Sequence, residues 1–194
     1  MIFRALLIGT LLALGGLGAQ AAPGEKPPVA EPESPADWLD GLYKRLAAAK
    51  DPQGAAQIAA MIGRERLKSG SDTADLLMAR AIAAGVGKNE AASAEILDKL
   101  MLIRPEWAEI YARRAALRLE GGDIDGAMRD FAQTLKRDPR NLDALGALAQ
   151  VLASQHKLDE AEGVYRSALA LAPGLQELVE GERRVKAMIS AGSL

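Results

Sequence analysis

Apolar residues recur along most of the chain at spacings of three and four positions, which is the period of an amphipathic helix. The first such stripe includes Trp38, Leu42 and Leu46. It begins where Ser34 can cap a helix and where Pro35 suits the first helical position. Because no stretch alternates strictly between apolar and polar residues, the sequence predicts an all-α fold.

One order of residues occurs twice in the C-terminal half of the chain. The segment GGDIDGAMRDFAQTLKRDP at 121–139 is followed 34 residues later by the similar segment QHKLDEAEGVYRSALALAP at 155–173. The prolines after Pro52 keep the same spacing, at Pro105, Pro139 and Pro173. A fixed period of this length indicates a repeat architecture.

Each position in the repeated order has a physical role. A small residue, Ala127 in one copy and Ala161 in the next, lets two helices approach closely, where a larger side chain would overpack the contact. An aromatic residue, Phe131 or Tyr165, fills the gap between neighbouring units. The proline disfavours helical geometry in the residue before it and so ends the second helix. The order of these residues therefore predicts how the helices pack, and it does not indicate a catalytic site.

These residues resemble those of tetratricopeptide repeat proteins, whose unit is two antiparallel helices over 34 residues. The resemblance is strong for 108–141 and 142–175 and looser for 74–107. In that first unit Ser93 and Leu97 stand where alanine and an aromatic residue are usual. The resemblance implies an α-solenoid of three repeats.

Helical segments are also expected on either side of the three repeats. Residues 176–194 carry a last apolar stripe and are predicted to form a C-terminal capping helix and tail, because the final unit of an open solenoid has no neighbour to cover it. Residues 36–70 are predicted to form an N-terminal helical pair. This pair is either a more decayed repeat or a pair outside the stack.

The N-terminus has the features of a secretory signal peptide. Arg4 precedes a long apolar run, and Ala19 and Ala21 flank the expected cleavage site, so 1–21 is predicted to be removed. The alternative is an uncleaved membrane anchor. Five prolines in 22–35 predict a disordered linker. We therefore expect a periplasmic protein without stable membrane insertion after cleavage.

Composition narrows the function further. The chain has no cysteine, which excludes thiolate metal sites and a catalytic thiol. A net charge of −2, with basic and acidic residues interspersed, does not favour nucleic-acid binding. The lone histidine, His156, is predicted to lie in the turn between two helices, and no second histidine is present to pair with it. We expect no catalytic residues, no metal, no cofactor and no enzymatic activity.

The resemblance also implies where a ligand would bind, because the first helices of tetratricopeptide repeats line a concave groove for a peptide or helix. The matching positions are Asp75, Met78, Ala79, Ile82, Glu109, Ala112, Arg113, Ala116, Asp143, Ala147 and Gln150, with Leu119, Gly146 and Ala153 beside them. Arg113 is either a ligand contact or the ion-pair partner of Glu109, four residues earlier. Met78 and Ile82 are either open to a ligand or covered by residues 36–70.

Two functions follow as hypotheses. The order of signal, proline-rich linker, helical pair and repeats resembles small periplasmic tetratricopeptide repeat proteins of Gram-negative bacteria. That resemblance implies a non-catalytic adaptor of the cell envelope that binds an unidentified protein or peptide through the groove. The alternative is a self-associating structural protein with no dedicated ligand.

Overall fold

A computed structural model describes residues 34–192, so the predicted signal peptide at 1–21 and most of the predicted linker at 22–35 lie outside the described residues. This part of the chain forms nine α-helices and no strand. In chain order they are α1 (Pro35–Ala48), α2 (Pro52–Arg66), α3 (Asp72–Val86), α4 (Glu90–Ile103), α5 (Ala108–Glu120), α6 (Ile124–Arg137), α7 (Leu142–Ser154), α8 (Leu158–Leu171) and α9 (Gln176–Gly192). Because α1 begins at Pro35, the last residue of the predicted linker belongs to that helix.

Polar side chains cap the helices where the sequence offers them. Ser34 accepts a hydrogen bond from the backbone N–H of Asp37, and Asp37 accepts one in return from the N–H of Ser34, which forms a capping box. Ser71 and Asp123 cap α3 and α6, each by accepting one hydrogen bond from a backbone N–H of the first turn. Each cap satisfies a donor that the helix itself leaves unpaired.

Helices α3 to α8 form three antiparallel pairs in register with the 34-residue period. The second helices α4, α6 and α8 end at residues 103, 137 and 171. Each is followed by a residue outside helical geometry, with ψ between 58° and 88°, and then by the proline; these residues are Arg104, Asp138 and Ala172. This geometry confirms the predicted role of the proline as the stop signal of the second helix.

The small and aromatic positions of the repeat are buried as predicted. Ala127 and Ala161 have no exposed surface, and Phe131 and Tyr165 are almost fully buried. In the first pair, Ser93 takes the place of alanine, and its hydroxyl donates to the backbone carbonyl of Ala81 at 2.9 Å. The hydroxyl is therefore satisfied inside the core, and the degenerate unit keeps its close helix contact.

The turn inside each pair contains one residue in the left-handed region. Gly122 has a φ of +79°, and the equivalent positions Lys88 and His156 have φ values of 57° and 59°. Only glycine adopts this conformation without steric cost. His156 is exposed there, as the sequence predicted for a turn residue.

The N-terminal pair α1–α2 does not extend the stack in front of α3. It packs against the other end of the array, where Leu42, Leu46 and Ile62 share one core with Leu145 of α7 and Leu175 before α9. The pair therefore covers the turns that join one repeat to the next. The alternative that residues 36–70 stack as a further repeat is wrong, because α1 and α2 bury their apolar faces against α7, α8 and the start of α9.

A network of hydrogen bonds fastens the pair to these turns. The hydroxyl of Tyr43 donates to the carbonyl of Arg140 at 2.8 Å, and Nη2 of Arg66 donates to both groups. Nε of Arg66 lies 2.9 Å from a carboxylate oxygen of Asp138, and the indole Nε1 of Trp107 donates to the carbonyl of Arg66. The side chain of Arg66 is only 7% exposed, so this ion pair is shielded from water.

Helix α9 covers the last repeat, which agrees with the predicted capping helix. Leu178 and Val185 are buried against α7 and α8, and Gly181 lies directly over the ring of Tyr165. A Cβ at Gly181 would come within 2.5 Å of that ring, so only glycine allows this approach. Met188, nearer the end of α9, is 41% exposed.

Candidate functional site

The first helices of the three pairs form a continuous indented surface. One depression of about 140 Å³ lies between α3 and α5, and another of about 180 Å³ lies between α5 and α7. Both are lined by Arg113 and Ala116 of α5, so the two depressions adjoin along that helix. We call this surface the first-helix groove.

Most of the predicted groove residues line these depressions. Ile82 lies in the first, and Arg113 and Ala116 lie in both. The second contains the remaining members, which are Glu109, Ala112, Leu119, Asp143 and Ala147. The structure therefore brings residues from three separate repeats to one surface.

Four predicted residues do not line the groove. Met78 is 1% exposed and packs in a core with residues of α4 and α5, so no ligand reaches it and its place in the predicted site is wrong. It is covered by its own repeat and the next one, and Leu67 of the N-terminal pair packs against the same core. The carboxylate of Asp75 accepts hydrogen bonds from the backbone N–H and the hydroxyl of Ser69. Ala79 and Gln150 are exposed but lie outside the two depressions.

Two further groove neighbours are also less accessible than the resemblance implied. Gly146 is buried, and a Cβ there would lie 3.4 Å from the side chain of Leu178 in the capping helix. Ala153 is half-buried and packs against the core around α7 and α8. The C-terminal helix therefore closes this end of the groove.

Arg113 forms the ion pair that was one of its two predicted roles. Its Nε and Nη2 lie 2.8 and 2.7 Å from the same carboxylate oxygen of Glu109. The side chain of Glu109 is only 5% exposed, whereas that of Arg113 is 38% exposed. Arg113 thus neutralises a buried carboxylate and at the same time presents its aliphatic part and one edge of its guanidinium to the groove.

Two features of the site were not predicted from the sequence. Val86, at the end of α3, lines the first depression and is 82% exposed, although its spacing of four residues from Ile82 was a usable signal. Helix α2 forms a wall beside the groove: a cleft of about 450 Å³ separates it from the beginnings of α7 and α9. Asp143 lines both this cleft and the groove, so the two meet at that residue.

A further cavity of about 630 Å³ lies where α1 and α2 meet the turns before α5 and α7. Most of the charged side chains that line this cavity form ion pairs or ring contacts with other residues of the protein. Lys68 pairs with Glu65, Arg66 pairs with Asp138, and Arg137 stacks over the ring of Tyr111, 4.1 Å from its centre. This cavity is a junction between the pair and the repeats.

A buried charge cluster lies between α5 and α6. The carboxylate of Asp130 is 2% exposed and accepts hydrogen bonds from Arg114 and Arg118 at distances of 2.7 to 2.8 Å. Hydrogen bonding to Asp130 raises the pKa of Arg114 above its usual value. The complete pairing of these charges indicates a structural role.

Within residues 34–192, no group of three or more histidine, aspartate or glutamate side chains is placed to hold a metal ion. None of the helices in that range is long and apolar enough to cross a membrane. The first-helix groove is a shallow surface of small and apolar residues with a few charges at its edges. Such a surface suits the recognition of a polypeptide.

Comparison with known proteins also indicates a repeat protein. Residues 118–180 match the family model described as tetratricopeptide repeat. A TPR repeat-containing protein of Rhizobium etli is 36% identical over 121 residues, which are 62% of this chain and 59% of that protein. The chain thus matches less than two thirds of the length of that relative.

Solved structures resemble the fold at low sequence identity. The Sgt2 TPR domain from Aspergillus fumigatus has a TM-score of 0.58 at 19% identity, covering 63% of this chain and 83% of that one. The Yersinia enterocolitica type III secretion chaperone SycD, solved with a peptide of the translocator YopD, has a TM-score of 0.53 at 21% identity, covering 62% and 92%. The described part of the chain is therefore an all-α solenoid of paired helices. Residues 118–180 match the tetratricopeptide repeat, and the chain is similar to proteins that contain this repeat.

Proposed function

We propose that this protein is a non-catalytic scaffold that binds a protein or peptide in the first-helix groove. The observation that carries the proposal is the pair of adjoining depressions along α5, which gather small and apolar side chains from three repeats on one accessible surface. A shallow surface lined mostly by small and apolar residues suits an extended or helical polypeptide.

Structural neighbours with bound peptides support this proposal. SycD was solved with a peptide of YopD, and the first TPR of Spaghetti (RPAP3) was solved bound to the HSP90 peptide SRMEEVD. The latter has a TM-score of 0.57 at 17% identity, covering 60% of this chain and 95% of that one. These likenesses show the fold, and the concave surface of such solenoids is the face that we propose for binding.

The proposal is tested by selecting peptides from a random phage-displayed library on the purified chain. We expect Ala116→Trp to abolish retention of the selected peptides, because an indole at this position fills both depressions. Ala132→Trp is the matched control, since Ala132 is exposed on α6, outside the groove. Equal retention by both variants would refute the groove as the binding site.

Substitution of Arg113 is a poor test of binding, although Arg113 lines both depressions. Its removal would leave the buried carboxylate of Glu109 unpaired and would destabilise α5. A loss of binding in Arg113→Glu would therefore report on folding as well as on recognition. Ala116 is exposed and has no such partner in the network around Glu109.

We further propose that the protein acts in the periplasm of a bacterial cell envelope. The support is the N-terminal sequence, with its single basic residue, apolar run and A-x-A ending at Ala21. Expression with a C-terminal tag, followed by cell fractionation and N-terminal sequencing, tests this location. We expect a soluble periplasmic product that begins at Ala22, and a full-length product held in the membrane would contradict the proposal.

Self-association is the second candidate function, and it has its own supporting observation. Leu76 of α3 is 54% exposed, and Val179 and Met188 of α9 are 38% and 41% exposed. The first helix of the repeat array and the capping helix therefore both carry exposed apolar side chains. Sedimentation velocity over a range of concentrations tests this candidate. A constant monomer mass would exclude it.

A further inference from the structure

The cleft between α2 and the repeats has apolar walls and an acidic mouth. Its volume is about 450 Å³, and its wall on the α2 side consists of small residues that include Ala56, Ala60 and Gly63. Asp143 and Glu177 lie on the opposite side, in the first turns of α7 and α9. The cleft is therefore a narrow apolar space with two carboxylates at one edge.

The two carboxylates are accessible. The side chain of Asp143 is 70% exposed, and Glu177 is also exposed. The one basic side chain that lines this cleft is Arg66, which is almost fully buried. Its Nη2 donates to the hydroxyl of Tyr43 and to the carbonyl of Arg140. Its Nε lies 2.9 Å from a carboxylate oxygen of Asp138, and its Nη1 lies 3.8 Å from Asp143.

The local charge balance is negative. Arg66 is offset by Asp138, with which it forms a close ion pair. The N-termini of α7 and α9 each contribute about half a positive charge, but Asp143 and Glu177 each contribute a full negative charge. The mouth of the cleft is thus acidic although two helix N-termini point towards it, and it should repel the anionic groups that bare helix N-termini attract.

We propose that this cleft binds a lysine or arginine side chain of the polypeptide that lies in the first-helix groove. The inference rests on the proposed function, because Asp143 joins the cleft to the groove and the ligand must run along both. A long aliphatic stem fits between the small residues of α2 and the beginnings of α7 and α9. The charged head then reaches Asp143 and Glu177 at the mouth, where charge-assisted hydrogen bonds are strong.

The experiment uses three synthetic peptide libraries on the purified full chain. Each library contains 12-residue peptides of alanine, serine, valine and leucine, and one central position is fixed as lysine, glutamine or glutamate. We expect the lysine library to be retained about tenfold more strongly than the glutamate library, as one charge-assisted contact implies. Higher salt should reduce this preference.

Variants of the cleft separate this inference from the proposed function. The double variant Asp143→Asn, Glu177→Gln should bring the lysine and glutamate libraries to equal retention, whereas Asp125→Asn, at an exposed acidic residue on α6, should keep the preference. Ala60→Phe, at an exposed position of α2, should fill the cleft and also remove the preference without a change of charge.

The outcomes are distinct. Retention that depends on Ala116 but does not distinguish lysine from glutamate would overturn the basic-side-chain cleft and leave the groove in place. A lysine preference that survives in the double variant would overturn it as well. No retention of any library by the wild-type chain would overturn the groove and the cleft together. Hydrogen-exchange protection of α2, measured in parallel, shows that the variants keep the wall of the cleft folded.

Discussion

Arg66 is the residue that attaches the N-terminal pair to the repeats, and its removal gives the sharpest test of the architecture. Its guanidinium donates to the hydroxyl of Tyr43 and to the carbonyl of Arg140, and it pairs with Asp138. Arg66→Ala would remove the hydrogen-bond donor to the hydroxyl and the carbonyl, and it would remove the ion-pair partner of Asp138. The matched control is Arg64→Ala, because Arg64 is exposed on the same helix.

The expected cost follows from the burial of these groups. Breaking a fully buried ion pair by removing one partner costs about 3–5 kcal/mol. Here the side chain of Arg66 is 7% exposed but that of Asp138 is 25% exposed, so water can reach the carboxylate and reduce the penalty. We therefore expect Arg66→Ala to lower the free energy of unfolding by about 2–4 kcal/mol, and Arg64→Ala by less than about 0.5 kcal/mol.

The assay combines urea unfolding with hydrogen exchange resolved by peptide. Because a solenoid is stabilised mainly by contacts between neighbours, we expect the loss of protection to be concentrated in α1 and α2, while α5 and α6 stay protected. A loss below about 1 kcal/mol, with unchanged exchange in α2, would refute the view that Arg66 holds the pair in place.

Three further predictions concern the repeats themselves. His156→Gly should raise the free energy of unfolding by about 0.5–1 kcal/mol in urea denaturation, because it relieves a left-handed conformation, and a decrease would contradict that explanation. Asp130→Ala should destabilise the fold by about 2–3 kcal/mol in the same assay, since it removes the buried carboxylate that two arginines share. Asp98→Ala, at an exposed acid 3.4 Å from Arg114, should cost under about 0.5 kcal/mol. Burial raises the pKa of Tyr165 above the usual 10.0, so its contribution to stability is present below pH 10 and is lost as the pH rises through the higher folded value. Tyr165→Phe should therefore flatten the fall in stability above pH 10, measured by alkaline unfolding, and an unchanged slope would exclude Tyr165 as its source.

The repeat itself could be predicted in detail because its signals are local. A proline restricts the residue directly before it, and a small residue matters through the helix that it packs against within the same unit. The positions of Ala127, Phe131 and Pro139 were therefore informative without any knowledge of the tertiary structure. The turn at His156 followed from its alignment with Gly122, and the structure places it in the same left-handed conformation.

The candidate site was predicted only in part. Family positions on the first helices identified Arg113, Ala116 and Asp143, which do line the groove. Met78 was misplaced because α3 begins the stack and turns this side chain into the core of its own repeat and the next. Periodicity shows that a residue lies on an apolar stripe, but it does not show which part of that stripe a neighbouring helix covers.

The location of α1 and α2 could not be predicted from the sequence. Their apolar stripes predicted helices with a buried face, yet that face could equally have packed in front of α3. The decisive contacts join residues far apart in the chain: Tyr43 and Arg140 are separated by 97 positions, and Arg66 and Arg140 by 74. No local pattern encodes such a pairing.

The sequence by itself thus determined the helices, their 34-residue period and the turns, because each of these depends on interactions within a few residues or within one repeat. Only the tertiary structure decided that the N-terminal pair covers the turns between repeats and that α2 becomes a wall of the cleft beside the groove. The physical reason is that an apolar helix face can pack against many apolar surfaces. Complementary shape and the pairing of buried polar groups, such as Arg66 with Asp138, determine which of those surfaces it contacts.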